Sequence, residues 1–139
     1  MVWQDDPAPY DNRFWWDADT PKALDDVNAV DENGDPVLDE KGNQVVTLGL
    51  KSQWKAVIKQ QAGGLLSATD WYVTRNAETG DAIPADVTAY RAAVRTASNT
   101  IEAAIDGAAD HAAFVALFDT PLDADGNPTG NPPISDWPE

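Results

Sequence analysis

Residues 64–105 read GLLSATDWYVTRNAETGDAIPADVTAYRAAVRTASNTIEAAI and carry the clearest helix signals of the 139-residue chain. Thr69 or Asp70 can cap a first helix, because a short side-chain oxygen accepts hydrogen bonds from the free amides of a first turn. Gly80 suits the left-handed residue that closes such a helix. The stretch therefore predicts a short helix over 70–79.

A second, longer helix follows in the same stretch. Pro84 is typical of a first helical position, and Gly107 provides an end. Between them, apolar residues recur at steps of three and four and form one stripe. The stripe consists of Val87, Tyr90, Val94, Ala97, Ile101 and Ile105. We expect a long helix over 84–106 whose stripe faces a core.

Shorter helical patterns lie on both sides of this stretch. The upstream pattern covers 49–61, and Gly63-Gly64 is expected to break that helix. Downstream, Asp110 can cap a last helix over 110–118 in which Phe114 and Phe118 are neighbours. We expect the structural core to consist of Trp54, Trp71, Tyr72, Tyr90, Val94, Ile101, Phe114 and Phe118.

These patterns predict a mainly α fold of about four helices, one of them long, with a short hairpin-containing N-terminal region and extended arms. Three regions follow from composition. Residues 1–46 form an acidic, aromatic-rich arm with hairpin-like turns, 47–118 a helical domain, and 119–139 an extended tail rich in Pro, Gly and Asp.

The net charge of −15 lies mostly in the two arms. Residues 1–46 hold 12 acids and 3 bases, 47–118 hold 7 acids and 6 bases, and 119–139 hold 5 acids and no base. Nucleic acid is disfavoured as a partner, because binding it depends on neutralising phosphates with Lys and Arg. The acidic charge can serve solubility alone or meet a basic protein surface.

Lysines recur every fourth residue along the helix predicted over 49–61, at Lys51, Lys55 and Lys59. Such a ridge indicates a solvated helix face or a contact to an acidic surface of another protein.

The N-terminal arm is dense in aromatic side chains. Prolines in residues 1–24 argue against a long helix there. Many solvent-exposed aromatic rings are unfavourable, so these rings cover the chain's own core or anchor a protein contact. As a hypothesis, the partner-binding residues are Trp3, Tyr10, Phe14, Trp15, Trp16 and, in the tail, Trp137.

A short repeat lies in the arm and returns in the tail. VDENGDPV at 30–37 is followed by LDEKGNQV at 38–45, and LDADGNPT stands at 122–129. Each copy predicts a tight glycine turn between extended segments. The alternating Asp and Asn oxygens also suggest a calcium loop, but such a loop needs Gly at its sixth position and Glu at its twelfth. Both positions hold other residues, which argues against a metal site.

Residue types for catalysis or a cofactor do not converge in this sequence. There is no cysteine, and His111, the single histidine, follows a predicted helix cap and is expected at the surface. Carboxylate pairs lie in the arms, without an apolar pocket to raise a pKa. No segment has the roughly 20 apolar residues of a membrane span, and the start lacks the features of a signal peptide. We expect a non-enzymatic protein without cofactor, metal or membrane contact.

Several short segments of the chain resemble proteins of tailed bacteriophages. ATDWYVTR at 68–75, AETG at 77–80, IPADV at 83–87 and YRAAVR at 90–95 resemble a segment near the C-terminus of tail fibre assembly chaperones. The same segment occurs in small tail-associated virion proteins, especially of marine and cyanobacterial phages. FWW at 14–16, PKALD at 21–25, GLK at 49–51 with Trp54, and the ending from Asp123 to Pro138 are similar to that second type.

The resemblance implies a virion structural protein of the tail, baseplate or fibre region. It implies other tail or fibre proteins as partners, possible self-association, and assembly in the host cytoplasm. The long N-terminal region of many assembly chaperones is not matched, which favours the virion protein over a chaperone that binds the fibre transiently. An acidic regulator such as a DNA mimic is a third hypothesis.

Overall fold

The computed structural model describes residues 11–138, and this part of the chain is mainly α-helical. It contains four α-helices, one of them long, and two short antiparallel strand pairs, which confirms the predicted fold class. The elements are β1 Trp15–Asp17, β2 Thr20–Pro21, β3 Val27–Asn28, β4 Val46–Thr47, α1 Leu50–Ser67, α2 Asp70–Thr79, α3 Ala85–Gly107, α4 His111–Ala116 and a final 3₁₀ turn, Pro133–Ser135. Strand β1 pairs with β2, and β3 with β4. Trp3 and Tyr10 lie outside the described residues.

Helices α1 and α3 form an antiparallel pair at the centre of the fold. Near the start of α1, Nζ of Lys51 donates to the carbonyl oxygen of Asp106 at 3.1 Å, close to the end of α3. Near the end of α1, the carbonyl oxygen of Leu66 accepts from Arg91 at 2.9 Å, close to the start of α3. The reversed order fixes the antiparallel arrangement. The side chains buried along the pair include Ile58, Val94, Ile101 and Ile105, so the predicted stripe of α3 faces inward.

The expected helix break at Gly63-Gly64 is wrong. Helix α1 continues through both glycines to Ser67, and neither has a positive φ. A glycine in a helix interior costs about 1 kcal/mol relative to alanine, which packing of the helix can offset. Leu50, Ile58 and Ala62 are buried on the inner side of α1, and this burial stabilises the helix across the two glycines.

Helix α2 has the predicted bounds, whereas α3 and α4 differ from the predicted 84–106 and 110–118 by one or two residues at each end. Gly80 takes the left-handed conformation with φ 79°, and its N–H donates to the carbonyl of Asn76 at 2.9 Å. The carboxylate of Asp110 accepts from the N–H of Ala113 at 2.8 Å, as expected of a cap. Pro84 is the residue immediately before α3 rather than its first helical residue.

The two adjacent copies of the repeat form the predicted turns and close on each other through the backbone. The N–H of Ala29 donates to the carbonyl of Val45, that of Val45 to Val37, and that of Val37 back to Ala29, at 2.8 to 3.0 Å. The side-chain amide of Gln44 lies within 3.1 Å of all three carbonyl oxygens. Three chain segments eight residues apart thus form a closed ring of hydrogen bonds. The third copy makes its own turn, with Leu122 bridged to Pro128.

The flanking segments contribute side chains to the apolar core. One cluster contains Phe14 with Leu50, Ala108 and Phe114. A second cluster contains Ile58, Ile101, Ile105 and Ile134. Trp54 and Phe118 pack against both clusters, with ring centroids 4.8 Å apart. The N-terminal segment therefore contributes Phe14 to the first cluster, and the C-terminal tail contributes Ile134 to the second.

Two assignments of individual residues are wrong. Phe14 was expected to contact a partner, but it is 1% exposed, and its ring lies 6.0 Å from Phe114 and 4.7 Å from Phe118. Trp71 was expected in the core, but it is 53% exposed because α2 buries none of its residues. The Trp71 ring instead stacks on Tyr72 at 3.8 Å, and the guanidinium of Arg75 lies over it at 5.1 Å.

The other predicted core residues lie on the inner side of the fold. Val94, Ile101 and Phe114 are buried. Trp54, Tyr72, Tyr90 and Phe118 are half-buried. Among these residues, Phe114 is therefore buried together with Val94 and Ile101, whereas the other four aromatic side chains are partly exposed.

Candidate protein-contact surfaces

The N-terminal lobe, defined here as residues 11–48, is fixed to the start of α1 by backbone groups. The first-turn amides of Leu50 and Lys51 donate to the carbonyls of Ala23 and Leu24 at 2.9 and 3.1 Å. These contacts satisfy amides that a helix start otherwise leaves free. Gly49 permits this approach, because a Cβ at that position would collide with the backbone of residues 24–25. The chain thus caps α1 with its own upstream backbone.

A carboxylate completes the same junction. Oδ1 of Asp26 accepts from the N–H of Gly49 at 2.8 Å. The pKa of Asp26 is lowered by this bond first, and then by the hydroxyl of Ser52 and the charge of Lys55. The negative charge of Asp26 therefore persists below the pH at which an isolated Asp becomes protonated.

His111 joins the lobe to the other end of the chain. Its Nε2 lies 2.8 Å from the carbonyl oxygen of Phe14, and because a carbonyl can only accept, Nε2 carries the proton. The same imidazole packs against Trp15 in a T-shaped arrangement, with ring centroids 4.7 Å apart. The expectation of a surface histidine misses this role, since His111 is half-buried. Trp15 is half-buried against this histidine and presents only part of its ring to a partner.

Trp16 remains available on the lobe. It is 64% exposed, and Nζ of Lys22 lies 4.6 Å from its ring centroid. Trp16, Val27 and Leu48 line one small cleft. Val27 and Leu48 are both more than half exposed. An exposed Trp beside two exposed aliphatic side chains is the composition of a protein contact.

The tail carries the remaining predicted contact residue, Trp137. It is half-buried, and its Nε1 donates to Oε1 of Gln61 on α1 at 3.2 Å. Its ring borders a groove of about 570 Å³ whose other wall is formed by residues of α3, including Ala97, Thr100 and Ala104. The N–H of Ile134 donates to Leu117 at 3.0 Å and fixes the tail on the helices.

Helix α2 presents a second apolar surface, away from the lobe. Trp71 and Val73 are both exposed. On the Val73 side a depression of about 270 Å³ is lined by Val73, Ile83, Thr88, Arg91 and Arg95. Arg91 is held there by Asp70 at 3.0 Å and by the hydroxyl of Thr69 at 2.8 Å.

The ridge of lysines contacts the chain's own long helix. Lys55 pairs with Asp106 at 2.9 Å, and Lys59 pairs with Glu102. The pKa of Lys55 is raised, mainly by its hydrogen bond to Asp106. The acidic partners lie more than 40 residues away in sequence, so the spacing of the lysines alone could not reveal them.

Ion pairs of this kind use most of the positive charge. Within residues 11–138, five of the nine basic side chains pair with acids of the same chain, namely Arg13, Lys55, Lys59, Arg75 and Arg91. The lobe holds 10 acids and 3 bases, a net charge of −7. One of those bases, Arg13, is paired with Asp11 at 2.7 Å. The lobe as a whole therefore carries a strong negative charge, and Asp25 is the acid that lines the cleft beside Trp16.

The part of the chain that the structure describes shows no cluster of three or more His, Asp or Glu side chains able to hold a metal ion. Among the same residues, no helix is long and apolar enough to cross a membrane.

In each copy of the repeat, the first carboxylate accepts hydrogen bonds from the backbone of its own turn. Asp31, Asp39 and Asp123 each accept from the N–H groups two and four residues later, at 2.8 to 3.0 Å.

Comparison with protein-family models, with curated proteins and with solved structures finds no match to this chain.

Sequence reasoning missed three residues that position these surfaces: His111, Gly49 and Ile134. A glycine directly before a helix without a capping side chain was an available signal for Gly49. Ile134 is an isolated aliphatic residue among prolines, and no periodicity marked it. The bond from His111 spans 97 residues and leaves no local pattern.

Proposed function

We propose that this protein is a non-enzymatic structural subunit of a bacteriophage virion, in the tail, baseplate or fibre region. It acts through protein contacts of its flanking segments, with Trp16 as the principal anchor. The proposal combines the resemblance of residues 68–95 to phage tail proteins with the arrangement of the lobe and the tail. Its partners are other tail or fibre proteins, and it is assembled in the host cytoplasm.

The observation that carries this proposal is the attachment of both flanking segments to the helical pair. Phe14 and Ile134 are buried in the two core clusters, while Trp16 on the same lobe stays exposed. A permanent subunit needs contact residues that are held in place before the partner arrives, since ordering them on binding reduces affinity. An assembly factor with mobile arms would not need these buried anchors.

The proposal is tested by quantitative mass spectrometry of purified virions from the phage that encodes the chain. We expect its peptides at a constant copy number per virion relative to the known tail proteins. Presence in the lysate of infected cells together with absence from virions would contradict the proposal.

A second function, transient assembly of the tail fibre, is favoured by one observation. Helix α2 lies within the stretch that resembles assembly chaperones, and its Trp71 and Val73 are exposed. If this surface binds a folding fibre, Trp71→Ala should leave the chain folded and reduce the yield of soluble fibre in co-expression. The virion subunit predicts unchanged fibre yield for this variant and reduced incorporation for Trp16→Ala.

A further inference from the structure

We infer that the N-terminal lobe docks into an apolar recess rimmed by Lys and Arg side chains on a neighbouring tail protein. This inference rests on the proposed function and specifies the chemistry of the partner. It follows from three properties of the lobe: an exposed apolar cleft, a fixed shape, and a net negative charge that the chain does not neutralise.

The apolar cleft provides the anchor. Trp16, Val27 and Leu48 line it, and each of them is more than half exposed. Burial of a large aromatic ring together with two aliphatic side chains is the usual source of affinity at a protein interface. The partner therefore presents a recess lined by apolar side chains that accepts the Trp16 ring.

The cleft is held in place by backbone contacts. The N–H of Lys22 donates to the carbonyl of Phe14 at 2.8 Å, which positions the hairpin that carries Trp16. Strand β3 pairs with β4 and sets Val27 opposite Thr47, next to Leu48. Since these groups are already ordered, the entropy lost on docking is small.

The charge around the cleft defines the rim of the partner's recess. Asp25 lines the cleft, and Asp17 and Asp26 lie beside it in sequence. The N–H of Asp19 donates to Asp17 and that of Gly49 to Asp26, so both carboxylates are stabilised in the ionised form. Lys22, the base at the cleft, lies over the Trp16 ring. A partner with acids at this rim would be repelled, whereas one with Lys and Arg is attracted.

The same charge argues against other occupants. Two copies of the lobe would bring a net charge of −7 against −7, so self-association through this cleft is unfavourable. Nucleic acids and anionic lipid surfaces are repelled for the same reason. The surface of α2 gives no comparable indication, since residues 70–95 hold 4 acids and 3 bases.

The first test is competitive incorporation into virions. Wild type and a variant are expressed together during infection, and the ratio of their peptides in purified virions is divided by their ratio in the lysate. We expect this quotient to fall by about tenfold or more for Trp16→Ala. Incorporation of Trp16→Ala at the wild-type ratio would overturn the inference.

Matched charge variants test whether the negative charge of the lobe, including Asp25 at the cleft, contributes to docking. The triple variant Asp25→Asn/Glu32→Gln/Glu40→Gln removes three charges from the lobe, and Glu78→Gln/Asp119→Asn/Asp125→Asn removes three elsewhere. None of these six side chains makes a hydrogen bond or ion pair within residues 11–138, so neither triple disturbs the fold. We expect the lobe triple to lose incorporation severalfold and the control triple to match wild type. Equal incorporation of the two triples would overturn the basic rim.

A photo-crosslinking experiment separates this inference from the proposed function. Trp16 is replaced by p-benzoylphenylalanine, irradiation is carried out in infected cells and in virions, and the crosslinked peptide is sequenced; Thr74 on α2 is the control position. The inference is supported if position 16, but not position 74, captures a partner peptide rich in Lys and Arg. If this result is obtained and the chain is nevertheless missing from virions, the proposed function fails while the inference stands. A captured peptide without basic residues, or no capture from position 16, overturns the inference.

Discussion

Nε2 of His111 lies 2.8 Å from the carbonyl oxygen of Phe14 and joins α4 to the N-terminal lobe. The bond is the only polar side-chain contact between these two parts of the described chain. The side chain of Phe14, whose carbonyl accepts this bond, is buried in the first core cluster together with Phe114 of α4. Side-chain hydrogen bonds of this kind contribute about 1 kcal/mol to stability.

The first prediction concerns this bond. His111→Ala should lower the free energy of unfolding by about 1 kcal/mol, because the carbonyl of Phe14 loses its donor and Trp15 loses a packing partner. His111→Gln, whose amide can still donate, should recover part of the loss. Urea denaturation followed by circular dichroism measures both variants, and identical midpoints for His111→Ala and wild type would contradict the assignment.

The second prediction separates the core from the contact surface. Phe14→Ala should destabilise the protein by about 3 to 5 kcal/mol, since it removes a fully buried ring from the first cluster. Trp16→Ala should change stability by no more than about 0.5 kcal/mol, because its ring is mostly exposed. Thermal unfolding of the two variants measures both losses of stability, and the melting temperature should fall much further for Phe14→Ala than for Trp16→Ala. Equal destabilisation by both would show that the Trp16 ring contributes to the core as much as that of Phe14 does.

The third prediction concerns the glycines of α1. Apart from the adjacent residues and the backbone of α1 itself, no atom of the described residues lies within 4 Å of a Cβ built on Gly63 or Gly64. Gly63→Ala and Gly64→Ala should therefore each stabilise the protein by up to about 1 kcal/mol, through the better helix propensity of alanine. Gly49→Ala is the contrasting variant and should destabilise strongly, since its Cβ meets the backbone of Leu24 and Asp25. Denaturant titration should show a higher free energy of unfolding for the two variants at Gly63 and Gly64 and a lower one for Gly49→Ala. A loss of stability in Gly63→Ala would contradict a continuous helix α1 at this position.

The fourth prediction is a pH dependence at the junction of the lobe and α1. The pKa of Asp26 is lowered by the N–H of Gly49, so its contribution to stability is complete above the usual Asp value of 3.8 and is lost as the pH falls through the lower folded value. The melting temperature of wild type should exceed that of Asp26→Ala at pH 6, and the difference should shrink as the pH falls below 3.8. A constant difference down to pH 2.5 would show that the ionised carboxylate is not the stabilising group.

The helices could be predicted from the sequence because their signals are local. The caps at Gly80 and Asp110 and the stripe on α3 act within a few residues, and the structure reproduces them. Gly63-Gly64 were misread because local propensity is weaker than the burial of Ile58 and Ala62 on the same helix.

The contact surfaces were less predictable, because burial depends on distant segments. Phe14 and Trp16 stand two residues apart, yet one is fully buried and the other mostly exposed. From the sequence alone, both were assigned to partner binding because both are aromatic residues of the same arm. Trp71 was misassigned for a related reason: a large ring does not require the core when it can stack on Tyr72 and lie beneath Arg75.

We propose that both flanking segments are ordered parts of the helical core before any partner binds. Backbone hydrogen exchange of the isolated protein measures this directly at two amides. The N–H of Lys22 donates to Phe14, and the N–H of Ile134 donates to Leu117. We predict that both amides exchange at least about a hundredfold more slowly than an unstructured chain, as expected of groups that are freed only by unfolding of the surrounding core. Exchange of both at the unstructured rate, while the amides of α1 and α3 stay protected, would contradict the claim and favour a protein whose arms order only on its partner.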